Sequence, residues 1–474
     1  MCFHNPTPTI VNRLKKSYTG PLLDQRKRSM SFLSCHAASS PLSGSVPIPG
    51  DKSLSHRALM FAALAKGETT ITGLLPSEDV WSTRLALSSL GVDFYDESDG
   101  RVSVKSSGYQ AFHEPEDIWN MGNSGTSARL LMGMVCNLPF RVFMTGDGSL
   151  RRRPMGRVIQ PLSLFGAKIT ARQDKNLPLL IEGAAHPVPI TYTLPVPSAQ
   201  VKSAILLAGL MCHGETTVIE PEPSRDHTER LFDYYAIPHS ITKRNGHRHI
   251  TVKGFPEIQP RPLHIVGDPS SAAFIMVAAL LVPGSDVTIH NVGLNPLRTG
   301  LIETLQDMGG DIQILQRSIV SGEEVGNIVV RGSALRGVTV PAERAPRMID
   351  EYPILSVAAS FAEGPTEMHG LAELRVKESN RLQAILDGLS AVGVRAESHD
   401  DTLTVYGQNT VRGGATIATH FDHRMAMSFF IMGLRTQSPI MIQGWESINT
   451  SFPSFLDCMR TMGVTFAVIP DAKP

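Results

Sequence analysis

Six short segments of the sequence are rich in helix-capping residues, and four of them also carry basic side chains, a combination suited to binding anions. Ser, Asn and Asp side chains accept hydrogen bonds from the free N–H groups at the start of a helix, and those N–H dipoles attract negative charge. A cation is unfavourable there unless an anion joins it, so the basic residues predict anionic ligands; helix capping alone is the alternative. The segments are 50–57, 122–129, 197–202, 267–271, 348–353 and 421–424, and their basic residues are Lys52, Arg57, Arg129, Lys202 and Arg424.

Two further charged stretches fit the same chemistry. Arg151-Arg152-Arg153-Pro154 lies between a predicted strand and the next helix, behind glycines that permit close backbone approach, as in a phosphate-binding loop. A solvated surface run is the alternative. Lys377 and Arg381 are four residues apart, which predicts that they share one face of a helix, with Glu378 beside Lys377. The alternative is an exposed helix laced with ion pairs.

Several familiar motifs are missing from the sequence. Gly50-Asp51-Lys52-Ser53 lacks the first glycine of a P-loop, and no G-x-G-x-x-G follows a predicted strand. No serine lies in a G-x-S-x-G elbow, and the histidines lack a third metal ligand in register. These observations argue against nucleoside triphosphate binding, serine nucleophiles and metal sites.

The elements that must position these residues recur along the chain with a period of about 70 residues. An apolar helix-like run followed by a β-like run occurs six times, and a second short helix, usually ending at Gly, follows each. We therefore predict six β-α-β-α-β-like units arranged as two domains of three. The proline-rich stretch Gly254–Val266 is the best linker candidate, because proline opposes a continued helix.

Composition restricts the class of protein. The chain has 474 residues, 42% apolar and 19% charged, which indicates a globular protein of two or three domains. Lys plus Arg equals Asp plus Glu at 44 each, so no global field favours nucleic acid or an acidic membrane. The longest apolar run, Ala272–Val282, is too short to span a bilayer. Five cysteines without a C-x-x-C pair fit a reducing compartment, and we expect a cytoplasmic protein.

The first forty residues differ from the rest. They are basic and contain several serines, with Asp24 as the one acid. This composition is compatible with an organelle transit peptide, a disordered tail, or an upstream extension before a true start at Met30. We predict that residues 1–40 form a leader outside the fold.

Taken together, the motifs resemble one family, 5-enolpyruvylshikimate-3-phosphate synthase, over about residues 42 to 468. The resemblance rests on segments that occur in the family's order: 49–57, 122–126, 153–156, 197–200, 349–352, 374–378 and 422–424. The amino-acid sequences around Ala199, 225–229 and 349–353 resemble those of the class II bacterial branch. The resemblance implies a two-domain inverse α/β barrel of six β-α-β-α-β-β repeats, three per domain. The expected domains are 41–51 with 266–474, and 52–265.

The resemblance also implies the chemistry. Members transfer the enolpyruvyl group of phosphoenolpyruvate to the 5-hydroxyl of shikimate 3-phosphate and release phosphate, without metal or cofactor, and we expect a monomer. The implied catalytic residues are Asp350 for the hydroxyl proton, Glu378 for the methylene carbon, and Lys52 as stabiliser. The implied shikimate 3-phosphate ligands are Lys52, Ser53, Arg57, Ser198, Ala199, Gln200, Asp350 and Lys377. The implied phosphoenolpyruvate ligands are Lys52, Gly125, Arg153, Gln200, Arg381 and Arg424.

Three positions bear on this assignment. Asn380 stands where the family commonly has Asp, and Thr450 stands where the plant-like branch has a Lys, so one cation is missing at that edge. Gly125 matches the inhibitor-sensitive form of its loop, so we expect glyphosate to compete with phosphoenolpyruvate.

Two other functions remain as alternatives. The enolpyruvyl transferase that acts on UDP-N-acetylglucosamine resembles this chain, but it typically uses a mobile-loop Cys, and residues 146–154 contain none. The second alternative is a noncatalytic repeat scaffold that binds small anions. A scaffold predicts cations spread evenly over the repeats, whereas Asp350, Lys377 and Glu378 occur in a single unit.

Overall fold

The computed structural model describes residues 31–470. Its helices within that range are α1 (Lys52–Leu64), α2 (Glu78–Ser88), α3 (Gly125–Val135), α4 (Gly156–Leu164), α5 (Ala199–Gly209), α6 (His227–Tyr234), α7 (Pro269–Leu281), α8 (Gly300–Asp307), α9 (Tyr352–Ser360), α10 (Arg381–Ala391), α11 (His423–Gly433) and α12 (Phe455–Thr461). In this part of the chain, no helix combines the length and apolar character needed to cross a membrane.

The strands fall into six four-stranded sheets and one two-stranded sheet. Their bounds are β1 (Ser31–Cys35), β2 (Ser43–Pro47), β3 (Lys66–Thr72), β4 (Asp93–Asp96), β5 (Val102–Ser107), β6 (Trp119–Asn120), β7 (Arg141–Thr145), β8 (Lys168–Arg172), β9 (Asn176–Glu182), β10 (Thr191–Thr193), β11 (Glu215–Glu220), β12 (His239–Arg244), β13 (His247–Lys253), β14 (Leu263–His264), β15 (Asp286–Gly293), β16 (Asp311–Val320), β17 (Glu323–Arg331), β18 (Thr339–Val340), β19 (Pro365–Met368), β20 (Ala396–His399), β21 (Thr402–Tyr406), β22 (Val411–Gly413), β23 (Thr416–Ala418), β24 (Thr436–Ser438), β25 (Ile440–Gln443) and β26 (Phe466–Pro470).

The six four-stranded sheets share one plan: a parallel pair at one edge, followed by two antiparallel neighbours. Their strand orders are β14-β3-β5-β4, β6-β7-β9-β8, β10-β11-β13-β12, β2-β15-β17-β16, β18-β19-β21-β20 and β23-β25-β1-β26. A helix connects the two strands of a parallel pair wherever they follow one another along the chain. The predicted sixfold repeat and mixed α/β two-domain architecture are thus confirmed.

Two crossing segments link the halves of the molecule and exchange strands between them. β2 pairs with β15, whereas the next helix, α1, packs with the sheet of β3 and β5. β14 pairs with β3, whereas the next helix, α7, packs on β15 and β17. The segments also bind each other, because Asp51 N donates to Val266 O at 2.8 Å and Asp268 N to Pro49 O at 2.9 Å.

The exchange changes the interpretation of the predicted linker. Most of Gly254–Val266 lies along the half that contains β3: Ile258 is buried in its core, and Lys66 N donates to Ile258 O at 3.1 Å. The connection between the halves is therefore confined to the crossing itself, near residues 47–51 and 265–268.

The apolar side chains form two large buried clusters. One contains residues from Leu33 to Val46 and from Ala272 to Val464. The other contains residues from Leu54 to Val266, together with Val325. We call the first cluster and its elements the first lobe and the second cluster the second lobe. Two separate cores with a narrow connection allow the lobes to face each other across a cleft.

The N-terminal end of the described chain departs from the predicted leader. β1 lies between β25 and β26 and pairs antiparallel with both. In each of the other five sheets, a hairpin strand fills this third place. Residues 31–35 therefore complete the sixth repeat by filling the place between β25 and β26. The predicted leader boundary at residue 40 is wrong for this strand, because the strand belongs to the folded sheet. The rest of the leader prediction, residues 1–30, lies outside the described residues.

Glycines end the second helix of the repeats as predicted. Gly91, Gly166, Gly309, Gly393 and Gly463 all have φ between 87° and 106°, the left-handed region that costs glycine little. In the third repeat, where no glycine stands, Ala236 takes this place with φ 55°.

Candidate active site

The first helices of the repeats begin at the cleft, and most are capped as their sequences predict. Asp51, Ser124, Ser198, Asp268 and Asp422 each accept a hydrogen bond from a backbone N–H in the first turn of α1, α3, α5, α7 and α11. These residues are therefore helix caps, but capping does not explain why basic side chains lie beside them. The side chains that follow the caps decide which helices take part in the site.

Asp350 is the point at which the two lobes meet. Its Oδ2 accepts from Arg225 Nη2 of the second lobe at 2.6 Å, and its Oδ1 accepts from Arg381 Nη1 at 3.1 Å. Lys377 Nζ lies 3.6 Å from the same Oδ1, and Arg424 Nη1 lies 3.4 Å from the Asp350 carbonyl oxygen. The predicted residues Asp350, Lys377, Arg381 and Arg424 thus come together in one group.

Glu378 joins this group through the other side of Arg381. Arg381 Nη2 donates to Glu378 Oε2 at 2.6 Å, and Arg153 Nη1 of the second lobe lies 3.6 Å from Glu378 Oε1. Ser149 Oγ donates to the Glu378 carbonyl at 3.2 Å. One guanidinium therefore bridges the two predicted catalytic carboxylates, and the arginine loop of the second lobe reaches both the backbone and the side chain of Glu378.

The charges around these carboxylates hold both in the ionised form. Burial would raise the pKa of Asp350, but Lys377, Arg424, Arg225 and Arg381 outweigh it and hold the pKa well below its usual range. Burial would likewise raise the pKa of Glu378, but Arg381 and Arg153 lower it well below its usual range. The group is rich in donors that suit phosphate and carboxylate oxygens.

The prediction that Lys377 and Arg381 share one helix face is wrong. A 3-10 helix, Ala372–Val376, ends before Lys377, and α10 begins at Arg381 with Asn380 as its N-cap. Residues 377–380 are not helical, and Lys377 and Arg381 instead approach each other through their shared contact with Asp350. Ser379 and Arg381 both donate to Asp422.

Asn380 does not orient Arg381. Asn380 Oδ1 accepts from Gln383 N at 3.3 Å, as a helix cap. Asp422 holds Arg381 instead, through Nε to Oδ2 at 2.8 Å and Nη2 to Oδ1 at 3.3 Å. The departure at Asn380 therefore leaves the guanidinium fixed.

Arg57 is a buried cation that the second lobe contributes to the site. Its Nε donates to Thr228 Oγ1 at 2.9 Å, its Nη2 to Ser203 Oγ at 2.7 Å and its Nη1 to the Ser53 carbonyl at 3.0 Å. These acceptors are neutral, and burial lowers the pKa of Arg57 to about 10. Within residues 31–470 no carboxylate forms an ion pair with it, so its charge is available to an anionic ligand.

Gly125, Arg129, Arg153 and Gln200 form a second contact group. Arg129 Nη1 donates to Gln200 Oε1 at 2.8 Å, and Gln200 Nε2 donates to Thr126 Oγ1 at 3.0 Å. A Cβ at Gly125 would lie 2.8 Å from Arg129 Nη1 and 3.2 Å from Arg153 Nη1. Glycine at this position therefore leaves room for two guanidinium groups side by side.

Lys52 and Thr450 lie at the remaining edges. Lys52 Nζ pairs with Asp79 of α2, and its charge is one of those that depress the pKa of His423. Burial, together with Lys52 and Arg424, lowers the pKa of His423 to about 3, so this imidazole is neutral. Thr450 Oγ1 donates to the Ser447 carbonyl at 2.8 Å and lies 3.3 Å from His423 Nδ1. A neutral imidazole and a hydroxyl thus occupy the edge where the plant-like branch has a cation.

Three predicted residues make simpler contacts. Ser53 contributes its carbonyl to Arg57, and Ser198 caps α5 by accepting from Val201 N at 3.4 Å. Ala199 is the first residue of α5, directly before Gln200.

Lys202 does not belong to this site. Its ammonium is buried between Glu220 Oε1 at 2.9 Å and Glu229 Oε1 at 2.8 Å. The sequence predicts an anionic ligand for Lys202, but the anions beside it are carboxylate side chains of the second lobe. Sequence spacing alone does not reveal this pairing.

Sequence reasoning also missed residues that the structure brings into the site. Arg225 binds Asp350 across the cleft, Asp79 pairs with Lys52, and Asp422 orients Arg381. Arg225 opens the Arg-Asp-His-Thr-Glu segment, which supported the class assignment but gave no sign of a contact with Asp350. In the described range, no group of three or more His, Cys, Asp or Glu side chains is arranged to hold a metal ion.

The fold and the cleft define a two-lobed α/β enzyme in which both lobes supply cations to one site for small anions. The family model for EPSP synthase (3-phosphoshikimate 1-carboxyvinyltransferase) matches residues 36–459. The chain is 55% identical over 425 residues to the 3-phosphoshikimate 1-carboxyvinyltransferase of Paramagnetospirillum magneticum, covering 89% of this chain and 95% of that one. The Paracoccus denitrificans enzyme of the same name is 52% identical, with 90% and 96% covered. The chain therefore belongs to the EPSP synthase family.

Solved structures agree with this assignment. The EPSP synthase structure from Acinetobacter baumannii has a TM-score of 0.82 and 41% identity, and the match covers 92% of this chain and 99% of that one. The enolpyruvyl transferase NikO from Streptomyces tendae, at 16% identity and a TM-score of 0.74, shares the fold. The activity is that of a 3-phosphoshikimate 1-carboxyvinyltransferase of the shikimate pathway. The noncatalytic scaffold is thereby excluded, and the UDP-N-acetylglucosamine enzyme is the more distant relative.

Proposed function

We propose that Asp350 and Glu378 divide the proton transfers of the reaction between shikimate 3-phosphate and phosphoenolpyruvate. In the addition step Asp350 takes the proton of the 5-hydroxyl, whose oxygen bonds to C2 of phosphoenolpyruvate, while Glu378 gives a proton to the methylene carbon. In the elimination step Glu378 recovers a proton from the new methyl group, the C2–O bond to phosphate breaks, and the Asp350 proton leaves with phosphate.

The observation that carries this proposal is the position of Arg381 between the two carboxylates. Its Nη1 binds Asp350 at 3.1 Å and its Nη2 binds Glu378 at 2.6 Å. A substrate group bound to this guanidinium would lie beside both carboxylates. Two carboxylates that bind different nitrogens of one guanidinium suit separate acid and base roles.

Substrate binding supplies the protonation that Glu378 needs. Without substrates, Arg381 and Arg153 hold the pKa of Glu378 well below its usual range, although burial opposes them. The phosphate and carboxylate of phosphoenolpyruvate bring negative charge to Arg153, Arg381 and Arg424, which raises the pKa of the neighbouring carboxyl. Lys52 stabilises the charge that develops as the hydroxyl oxygen attacks.

We assign shikimate 3-phosphate to the part of the cleft around Arg57 and Asp350. Arg57, whose hydrogen-bond acceptors are neutral, supplies an unshared charge, and Arg225 and Lys377, which both pair with Asp350, supply further donors beside it. Ser53, Ser198, Ala199 and Gln200 lie at the starts of α1 and α5, whose dipoles favour a phosphate. Phosphoenolpyruvate takes the half built from Lys52, Gly125, Arg153, Gln200, Arg381 and Arg424.

Replacement of Glu378 by Gln tests the acid-base assignment. The variant keeps the size of the side chain but cannot donate a proton, so we expect phosphate release to fall by at least about 100-fold while shikimate 3-phosphate still binds. The control is Glu373→Gln, in the 3-10 helix five residues earlier, where a partly exposed carboxylate pairs with Arg157 at 3.0 Å. Wild-type turnover in Glu378→Gln would refute the role.

Substrate dependence tests the activity itself. Phosphate release should require both shikimate 3-phosphate and phosphoenolpyruvate, and UDP-N-acetylglucosamine should not replace the first substrate. We also propose the class II bacterial assignment, from the segments around Ala199, 225–229 and 349–353. We expect Arg225→Ala to lose shikimate 3-phosphate affinity, because Arg225 binds Asp350 across the cleft at 2.6 Å.

We further propose a cytoplasmic monomer whose domains are 41–51 with 266–474, and 52–265, with the strand 31–35 added to the first. A monomer is supported because a single chain supplies every side chain assigned above. A reducing compartment is supported because Cys35, Cys136, Cys212 and Cys458 are unpaired. Sedimentation equilibrium at micromolar concentration should give the mass of one chain.

A further inference from the structure

The crossing between the lobes contains a buried guanidinium that the chemistry above does not use. Arg298 lies in the turn between β15 and α8, and its side chain is only 3% exposed. Its turn belongs to the first lobe, and it reaches the place where residues 49–51 and 266–268 bind each other. A buried arginine is costly unless its donors are bound, so its contacts must define its role.

Arg298 contacts three separate segments. Nη1 donates to Asp51 Oδ2 at 2.9 Å and lies 3.4 Å from His227 Nε2. Nη2 donates to Asp268 Oδ1 at 3.1 Å and to Ser270 Oγ at 2.8 Å. Asp51 and Asp268 are the N-caps of α1 and α7, one helix from each lobe. One planar group therefore fixes the starts of two helices that diverge from the crossing.

His227 connects Arg298 to a buried carboxylate. Its Nε2 lies 3.4 Å from Arg298 Nη1, and its Nδ1 lies 2.6 Å from Glu323 Oε1. Asn295 Nδ2 donates to Glu323 Oε2 at 3.1 Å, which connects the turn of Arg298 to the same carboxylate.

Each segment that Arg298 binds is adjacent to a residue of the active site. Asp51 directly precedes Lys52, and His227 is two residues after Arg225. Ser270 Oγ donates to the carboxylate of Glu351, which directly follows Asp350. The guanidinium is thus one contact away from the backbone that carries the stabilising cation, the cation of the second lobe and the catalytic carboxylate.

We propose that Arg298 is a positioning residue that fixes the placement of Lys52, Arg225 and Asp350 relative to one another across the crossing. Its planar fork reaches Asp51, Asp268, Ser270 and His227 together, which the single ammonium of a lysine does not. A misplacement of about 1 Å in such a site costs on the order of 100-fold in rate, so small shifts at the crossing are expected to appear in turnover.

Two variants test this proposal in the phosphate-release assay. Arg298→Lys keeps the charge between Asp51 and Asp268 but loses the fork, and we expect kcat to fall by about 30- to 100-fold in protein that is folded by circular dichroism. Ser270→Ala cuts the connection to Glu351 and leaves every charge in place, and we expect a fall in kcat of about 10-fold. Should Arg298→Lys not fold, Ser270→Ala decides the question.

Arg435→Met is the matched control, because Arg435 binds the Leu281 carbonyl at the opposite end of α7. We expect its kcat to stay within about twofold of wild type, whatever its stability. A kcat within twofold of wild type in folded Arg298→Lys, or in Ser270→Ala, would overturn the proposal. The effects of Arg298→Lys and Ser270→Ala are measured as ratios to the wild-type rate. A failure of the proposed acid-base roles would instead appear as wild-type turnover in Glu378→Gln, so the two failures are distinguishable.

Discussion

Lys202 and Arg57 are buried cations on neighbouring helices of the second lobe, and their partners differ. Lys202 lies between two carboxylates, Glu220 and Glu229, that are as buried as itself. Arg57 donates to hydroxyls and a carbonyl, including the hydroxyl of Ser203, the residue after Lys202. The comparison shows that a buried basic residue beside a helix start can be neutralised by carboxylates of its own lobe, as Lys202 is, or can bind only neutral acceptors, as Arg57 does.

The buried arginines divide in the same way. Burial alone would lower the pKa of Arg298 and of Arg381, but the neighbouring carboxylates outweigh it and raise both. Burial lowers the pKa of Arg57 and of Arg129 to about 10, and for Arg129 the positive charge of Arg153 adds to this effect. Carboxylates of the protein thus stabilise the charge of Arg298 and Arg381, whereas an anion bound beside Arg57 or Arg129 would raise the pKa of that guanidinium.

The largest expected effect is on the free energy of unfolding, and it tests whether Lys202 is a structural cation outside the active site. Lys202→Met removes the buried cation between Glu220 and Glu229 and leaves them only the partly exposed Arg248, so we expect the free energy of unfolding to fall by about 3 to 5 kcal/mol in urea denaturation. The control is Lys168→Met, where an ammonium that is 77% exposed pairs with Glu182 and should contribute at most about 1 kcal/mol. A loss below about 1 kcal/mol in Lys202→Met would contradict the assignment.

Arg57→Gln should show the opposite pattern. Loss of charged hydrogen bonds to shikimate 3-phosphate is expected to weaken its binding by about 1.5 to 3 kcal/mol, a 10- to 150-fold rise in KM. The KM for phosphoenolpyruvate should change by less than about threefold. At one concentration of shikimate 3-phosphate, the melting temperature of this variant should rise by less than that of wild type. An unchanged KM would place Arg57 with Lys202 as a structural cation.

The two carboxylates that bind Arg298 should give opposite responses to pH. Burial, with the charge of Asp51, raises the pKa of Asp268 to about 6, so the stability that Asp268 contributes relative to Asn is complete below pH 3.8 and is lost as pH rises through 6. Burial would raise the pKa of Asp51, but Arg298, His227, Arg225 and the hydrogen bond from Leu54 N together outweigh it and lower the pKa to about 2, so its contribution is lost as pH falls below 3.8.

Urea denaturation of Asp268→Asn and wild type between pH 4 and pH 7 measures this difference. We expect the stability of wild type relative to the variant to decrease by about 2 kcal/mol over that range. A difference that stays constant, or that grows with pH, would show that Asp268 does not titrate at the crossing.

The smallest expected effect concerns the crowded arginines at Gly125. Gly125→Ala brings a Cβ within 2.8 Å of Arg129 Nη1, so the guanidinium groups must move. We expect the KM for phosphoenolpyruvate to rise by less than about 10-fold, and inhibition by glyphosate, which should compete with phosphoenolpyruvate in wild type, to weaken by more than that. Gly148→Ala is the control, since its Cβ would meet Arg152 Nη1 only at 3.7 Å. Equal weakening of both ligands would contradict this specific role.

Much of this protein follows from local sequence. The apolar periods, the capping residues before α1, α3, α5, α7 and α11, and the glycines at helix ends each act within about ten residues, so the sixfold repeat could be predicted from the chain itself. The site residues could be predicted only with the family resemblance, because spacing alone gave Lys202 the same standing as Arg57.

Only the tertiary structure decided which separated segments meet. Arg225 and Asp350 are 125 residues apart and form their hydrogen bond because the two lobes face each other. β1 completes the sheet of β25 and β26 from the opposite end of the described chain. Lys202 is neutralised by carboxylates that its own lobe brings near, and Arg298 joins two N-caps because the crossing segments exchange strands. Side-chain type determines what a residue can bind, but the path of the backbone determines which partner reaches it.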